Sequence, residues 1–179
     1  MRFIGLCFVL LLAACSPKYD WREMPAANGA IQVQFPARPL VEQRDVQING
    51  VDLTLQFQIA TVDASVFAVG TATLPPDIAA DSSAARALAE GVEASLSQNL
   101  NSPLLNKAGF ALPLAPNDQR AFRYGSAFEL HGGASPAPAW LLARVFILGD
   151  QLVQVIALGS EGVLTREVAE TFMQSIRAG

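Results

Sequence analysis

Ser160 and His131 have the residue types needed for nucleophilic catalysis. His131 is the only histidine of the 179 residues and opens the stretch HGGAS (131–135), in which glycines could form an oxyanion hole. A nucleophile elbow requires Gly-x-Ser-x-Gly, but Leu158 takes the first glycine position here and only Gly162 fits the last. His131 would also have to serve as the base. We therefore expect a solvated histidine at the end of a strand, no catalytic residues and no enzyme, with a hydrolase as a distant third hypothesis.

Metal binding would have to depend on carboxylates. The chain has one histidine, and both of its cysteines, Cys7 and Cys15, lie near the amino terminus. Glu161, Glu167 and Glu170 cluster near the last predicted helix, and such oxygens suit a hard cation. Acidic residues near the start of a helix are favourable without any ion, and we favour that explanation. We expect neither a metal site nor a cofactor.

The amino terminus has the pattern of a secretory signal peptide. Arg2 provides the positive charge, an apolar run covers 3–12, and Ala13 and Ala14 place small side chains before Cys15. This order is typical of a cleaved leader, and the run is shorter than the ~20 residues that span a bilayer. The predicted signal peptide is 1–14.

Leu12-Ala13-Ala14-Cys15 resembles a bacterial lipobox. The resemblance implies that Cys15 receives diacylglycerol and that its new amine is acylated, typically with palmitate. More than one acyl chain gives stable attachment. Ser16 stands where an aspartate would resemble an inner-membrane retention signal. We therefore expect a lipid anchor on the periplasmic side, in the outer membrane, with an ordinary secreted protein as the alternative.

Size and charge indicate one acidic domain after a short tether. We assign 15–29 to the lipidated cysteine and tether, and 30–179 to a single domain, because about 150 residues suffice for one core. Tyr19 and Trp21 either lie at the lipid interface or dock on the domain, and we favour docking. The net charge of −4 without a basic cluster excludes a typical nucleic-acid binder.

Period-2 alternation predicts strands on both sides of a long helix. Strands are expected at 30–35, 41–48, 51–59 and 66–74, with Asn49-Gly50 as a tight hairpin turn. Val51 to Ile59 should alternate between core and solvent. A helix near 77–101 follows, with Asp81, Ser82 and Ser83 as plausible caps.

After the helix, the sequence predicts further strands within 119–131 and a hairpin at 139–158 that turns at Gly149-Asp150. Thr165 should cap a last helix with Val168, Phe172 and Ile176 on one face. The expected fold class is α+β, an antiparallel sheet sandwich with a long mid-chain helix and a C-terminal helix packed on the sheet.

This order resembles the PsbP-like (DcrB-like) α/β sandwich family. The similarity lies in VQFPARP (33–39), the Asn-Gly hairpin, the mid-chain helix, the closing hairpin and the ETFMQSI helix (170–176), over about 30–178. It implies an accessory or binding protein without shared catalytic residues.

We therefore expect a non-catalytic accessory module that binds an unidentified envelope protein. The alternative is a small-molecule or lipid carrier with a cavity between sheet and helix. Loops on rigid scaffolds commonly carry binding, so the loop with His131, Gly132, Gly133 and Trp140 is the expected partner site; a plain hairpin connection is the favoured alternative for that loop.

Cys15→Ser should leave an unlipidated precursor, because the thiol is the acceptor of the first lipid. The measurement is metabolic labelling with a fatty acid, followed by detergent-phase partitioning. Cys7→Ser is the matched control, since Cys7 leaves with the signal peptide. A Cys15→Ser product that still runs as the mature, detergent-phase species would show that Cys15 is not the anchor.

Overall fold

The computed structural model describes residues 18–132, 138–160 and 162–179. Its helices are α1 (Pro76–Ala80), α2 (Ser82–Leu100) and α3 (Arg166–Gln174). Its strands are β1 (Arg22–Ala26), β2 (Ile31–Phe35), β3 (Leu40–Ile48), β4 (Val51–Val62), β5 (Ser65–Thr73), β6 (Leu105–Gly109), β7 (Phe122–Gly132), β8 (Ala139–Leu148), β9 (Gln151–Ser160) and β10 (Arg177–Ala178).

The strands form two antiparallel sheets. The larger has seven strands in the order β3-β4-β5-β9-β8-β7-β6, and the smaller has the order β1-β2-β10. With α2 in mid-chain and α3 near the carboxyl end, this arrangement confirms the predicted α+β fold class.

Each face of the seven-stranded sheet is covered by different elements. On the α2 face, α2 lies against β7 and β8, and the buried apolar side chains include Leu55, Leu88 and Phe128. On the α3 face, α3 and the small sheet cover Phe67 and other buried residues. Phe172 of α3 packs there, with its ring centroid 5.3 Å from that of Phe67.

The Asn49-Gly50 hairpin confirms the predicted turn. Asn49 and Gly50 have φ of 51° and 81°, which matches the positive φ that such a two-residue turn requires. The Asn49 side-chain amide donates to the carbonyl oxygen of Ala87 at 2.8 Å. Gly91 allows this close approach, because a Cβ there would lie 2.6 Å from Cγ2 of Ile48.

The alternation in β4 is confirmed from Val51 to Phe57, whereas Gln58 and Ile59 are both partly buried. Leu53 and Leu55 are buried against the α2 face, Val51 and Phe57 are partly buried there, and Gln56 is exposed. The register therefore fixes which side of this strand meets the core.

The single predicted helix is wrong in one respect, because Asp81 interrupts it. Asp81 is extended, with φ −105° and ψ 109°, and its carboxylate accepts hydrogen bonds from the amides of Ser83 and Ala84. Satisfying the free amides at a helix start stabilises a new helix there, so α2 begins immediately after Asp81. The prediction of Asp81 as a cap is confirmed.

The tether assigned to 15–29 also needs correction. Arg22–Ala26 forms β1, which pairs antiparallel with β2, and Ala26 and Ala27 are buried. Pro25 and the mixed composition of this segment gave no strand pattern in the sequence. The strand is stabilised by its partner β2 and by the core on the α3 face. Trp21 packs against the same core cluster, as the docking hypothesis predicted. Residues 1–17, with the expected signal peptide, lipobox and Cys15, lie outside the described residues.

Sequence patterns also missed β6 and β10. All five residues of β6 are exposed, so it shows no alternation of burial, and β10 has only two residues. No helix in the described part of the chain is long and apolar enough to cross a membrane.

Leu55→Ala should destabilise the protein far more than Gln56→Ala. Leu55 is 4% exposed, and truncating a buried leucine costs about 2–5 kcal/mol through lost transfer energy and a cavity. The neighbouring Gln56 is exposed, where substitutions usually stay within about 0.5 kcal/mol. The test is denaturant unfolding of the two variants beside the unsubstituted chain. Equal shifts would contradict the register of β4.

Candidate functional site

The structure brings the predicted loop residues to one end of the large sheet. His131 and Gly132 end β7, Trp140 lies near the start of β8, and His131 and Trp140 are directly paired across the two strands. Gly133 lies outside the described residues. Thr165 and Arg166, at the start of α3, join His131 and Trp140 around a hollow of about 360 Å³.

Trp140 is part of the core instead of an exposed docking side chain. It is 4% exposed, and its indole N–H donates to the carbonyl oxygen of Leu164 at 3.1 Å. The Arg166 guanidinium lies 5.3 Å from its ring centroid, a separation at which a cation is attracted to the ring face. The indole therefore holds the start of α3 against the sheet.

Glu129 is the centre of an ion cluster beside this hollow. Arg166 donates two hydrogen bonds to its carboxylate, at 2.7 and 2.9 Å, and Nε2 of His131 lies 3.4 Å from its second oxygen. Arg166, with His131, holds the pKa of Glu129 at about 2, against an ordinary value of 4.5 and despite burial. Such a carboxylate is a weak proton acceptor at neutral pH, so the cluster is suited to joining α3 to β7.

Ser160 and His131 do not form a catalytic pair. Across β8, His131 is aligned with Trp140 and Gly159, whereas Ser160 is aligned with Ala139 and thereby with Gly132. Directly paired side chains share a face and successive ones alternate. Ser160 and His131 therefore lie on opposite faces of the sheet, and the serine cannot transfer its proton to this histidine.

Sequence patterns missed a second buried cluster, around Glu93. Glu93 is 1% exposed and accepts hydrogen bonds from Tyr124 at 2.5 Å and from Ser126. The ammonium of Lys107 lies 2.5 Å from its other carboxylate oxygen. The available signal was its spacing, because Glu93 follows the buried Ala85 and Ala89 at intervals of four on the apolar side of α2.

The Glu93 cluster contains groups familiar from catalysis, but its carboxylate and its serine hydroxyl are closed to a substrate. Ser126 is 2% exposed, so its hydroxyl cannot meet a molecule from solvent. Burial and the hydrogen bond to Glu93 raise the pKa of Tyr124. Burial of its amine acts to lower the pKa of Lys107, but the hydrogen bond and negative charge of Glu93, together with Tyr124, outweigh burial and the pKa is raised. These shifts keep both protons on their residues, so the cluster serves to join α2 to β6 and β7.

The two described carboxylates of the predicted cluster near α3, Glu167 and Glu170, have other roles. Glu167 lies in the first turn of α3, where its charge suits the helix dipole, and Glu170 lies 3.8 Å from Arg166. Glu161 lies outside the described residues, and within those described no group of three or more potential metal ligands is found.

Two hollows are relevant to the carrier hypothesis. The one between α2 and strands β3, β4 and β9 has about 250 Å³, below the roughly 300–1,000 Å³ of usual ligand pockets. A larger one, of about 560 Å³, lies between the segment after β6, β8 and the carboxyl end of the chain. Of these two hollows, the one that lies between sheet and helix, as the carrier hypothesis placed it, is thus the smaller, and the larger lies beside the carboxyl end of the chain.

The comparisons establish the fold alone. No protein-family model and no curated protein matches the chain. The solution structure of the cyanobacterial PsbP protein CyanoP, from Synechocystis, is similar at a TM-score of 0.51 and 12% sequence identity, over 98% of this chain and 99% of that chain. The chain therefore has a PsbP-like fold, as the sequence resemblance predicted.

Glu129 should contribute stability that is lost in acid. Its folded pKa of about 2 lies below the ordinary 4.5, so the contribution is fully present above about pH 4.5 and declines as the pH falls toward 2. Because Arg166 is half exposed, we expect about 1–3 kcal/mol after solvent screening. The measurement is the difference in unfolding free energy between the unsubstituted chain and Glu129→Gln across this range.

Glu167→Gln is the control for that experiment, because it removes an exposed carboxylate from α3, the helix that carries Arg166. Taking differences between variants cancels the other acids that titrate in this range, including Asp118, whose pKa Arg120 also lowers to about 2. A Glu129→Gln difference that stays constant from pH 7 to pH 2 would contradict the ion pair.

Proposed function

We propose that this chain is a lipid-anchored, non-catalytic accessory protein of the cell envelope that binds a protein partner. The leader and the Leu12–Cys15 pattern support the anchor, and Ser16 supports the outer membrane. The inaccessible Ser126, the strongly acidic Glu129 and the opposite faces of Ser160 and His131 support a role without catalysis.

The distribution of exposed apolar side chains carries the binding proposal. The large hydrophobic side chains exposed in the described ranges are Leu40 (71%), Val41 (59%) and Leu105 (37%). Leu40 and Val41 begin β3, and Leu105 begins β6, so all three lie on the two outer strands of the seven-stranded sheet. Isolated exposed apolar residues are ordinary, but their concentration at sheet edges points to an edge as the contact.

An outer strand has the chemistry to bind an extended segment of a partner. In the described chain β3 pairs only with β4, so its other side presents backbone N–H and C=O groups to solvent. Strand addition uses these groups for affinity and alternate side-chain contacts for specificity. Glu42, Arg44 and Asp45 follow the apolar pair, and charges on an edge oppose indiscriminate pairing. This combination favours a selected partner over self-association.

The alternative function, a small-molecule or lipid carrier, is supported by a different observation. The hollow of about 560 Å³ on the α3 face lies within the usual size of ligand pockets. Partner binding remains the primary proposal over the carrier. The exposed edge of β3 can bind a partner without any small molecule, and such binding suits a protein held close to a membrane.

A photoreactive amino acid at position 41 tests the edge in intact cells that produce the full, anchored chain. We expect one discrete crosslinked product from position 41, identified by mass spectrometry, since Val41 would contact the added strand. Leu40→Glu in the same chain should reduce that product at least severalfold without changing the melting temperature, because Leu40 is exposed.

Position 94 provides the matched control. Ala94 is exposed on α2 and belongs to neither outer strand of the sheet, and it should give no such product. Equal products from positions 41 and 94, or none from position 41, would contradict partner binding at β3.

A further inference from the structure

The hollow of about 560 Å³ has largely apolar walls and a mixed rim. Phe110, Leu112 and Pro113 form one side, after β6, and Ile176 and Ala178 form another, after α3. Phe110 packs against Phe146 with ring centroids 5.5 Å apart, so this wall is continuous with the core of the α3 face. A ligand here would rest on a rigid aromatic surface.

Arg144, on β8, places a cation inside this hollow. Its guanidinium lies 4.4 Å from the ring centroid of Phe110, and one N–H donates to the carbonyl oxygen of Met173 at 2.6 Å. Across the described ranges no carboxylate lies within ion-pair distance of it. Burial lowers the pKa of Arg144, which is the expected effect of withdrawing a cation from water without an opposite charge.

The neighbouring charges at the hollow are already compensated. Asp118 is bound by Arg120, whose other N–H groups donate to the carbonyl oxygens of Ala30 and Gly179. Arg177 forms an ion pair with Glu23 of β1. Arg144 is thus distinguished from the arginines around it, because it is a partly buried cation without an opposite charge, and some of its N–H groups have no acceptor among the described residues.

We propose that this hollow binds an amphipathic monocarboxylate, with the carboxylate on Arg144 and the alkyl body along Phe110, Leu112 and Ile176. The planar fork of a guanidinium matches the two oxygens of a carboxylate. The volume lies within the range of sites that enclose small molecules. The apolar tail would match the aromatic wall of the hollow, and the single charged head would match the cation of Arg144.

This inference is independent of the edge proposal. The strand β3 is one edge of the seven-stranded sheet. The hollow lies near the opposite edge, beside β8 and the segment after β6. It gives the carrier alternative a defined site and a defined ligand class, and its failure would leave partner binding at β3 untouched.

Octanoate labelled with ¹³C at the carboxylate is the probe, because its short chain partitions weakly into lipid. The full, anchored chain in phospholipid nanodiscs is titrated with it, and empty nanodiscs give the background. We expect saturable binding with a shifted carboxylate resonance. Octanol, with the same tail and no charge, should bind at least tenfold more weakly, and acetate, with no tail, should not bind measurably.

Arg144→Gln should weaken octanoate binding at least tenfold, while leaving octanol binding nearly unchanged. Arg177→Gln is the matched control, because it removes an arginine at the same hollow that is already paired, and it should change octanoate affinity less than threefold. Should Arg144→Gln fail to fold, Arg144→Lys keeps the charge but not the fork and should give an intermediate affinity.

Three results would overturn the proposal. One is equal affinity of the unsubstituted chain for octanoate and octanol, and another is octanoate binding that persists unchanged in Arg144→Gln. The third is octyl phosphate binding more than tenfold tighter than octanoate, which would assign the hollow to a phosphate head and not to a carboxylate.

Discussion

The structure depends on one constraint: the central strands of the large sheet are buried on both faces, so both faces need cover. In β8, Phe146 packs into the core of the α3 face, while Val145 and Ile147 pack into that of the α2 face. Such strands read as continuous apolar runs. One helix cannot shield two sides of a sheet, and the chain therefore uses α2 on one side and α3 with the small sheet on the other. The strands β1 and β10 belong to the small sheet, which covers the second face.

The positions of the buried carboxylates Glu93 and Glu129 are explained by the same two-faced packing of the sheet. Glu93 joins α2 to β6 and β7 on one face, and Glu129 joins β7 to α3 on the other. Burying a charge is costly unless it is fully hydrogen-bonded, and removing one partner of such a pair is strongly destabilising. Each carboxylate is therefore satisfied by groups from a different element. The clusters resemble catalytic sets in residue type, but their partners and burial make them joints between a helix and the sheet.

The features predictable from sequence were those encoded by neighbours in the chain. Alternation in Val51–Ile59, the Asn49-Gly50 turn and the Thr165 cap depend on local backbone physics. Features that depend on distant pairing were not predictable. β1 gains its stability from β2, and Glu93 differs from an ordinary surface glutamate only because Lys107 and the β7 hydroxyls meet it. The burial of Trp140 was not predictable for the same reason, since Leu164 and Arg166 contact it from another part of the chain.

The groups that remain open are more informative about function than the clusters that are closed. Glu93, Glu129 and Asp118 each find their partners within the chain, and a satisfied group has little to offer a ligand. The outer side of β3 has no partner strand in the described residues, and the guanidinium of Arg144 bonds one carbonyl oxygen there but no carboxylate. An unpaired edge stays open to pairing with another strand, and a partly desolvated cation without an opposite charge carries a free-energy cost in the isolated protein. A partner strand at β3 and an anionic head at Arg144 would satisfy these groups, and both binding proposals rest on that physical argument.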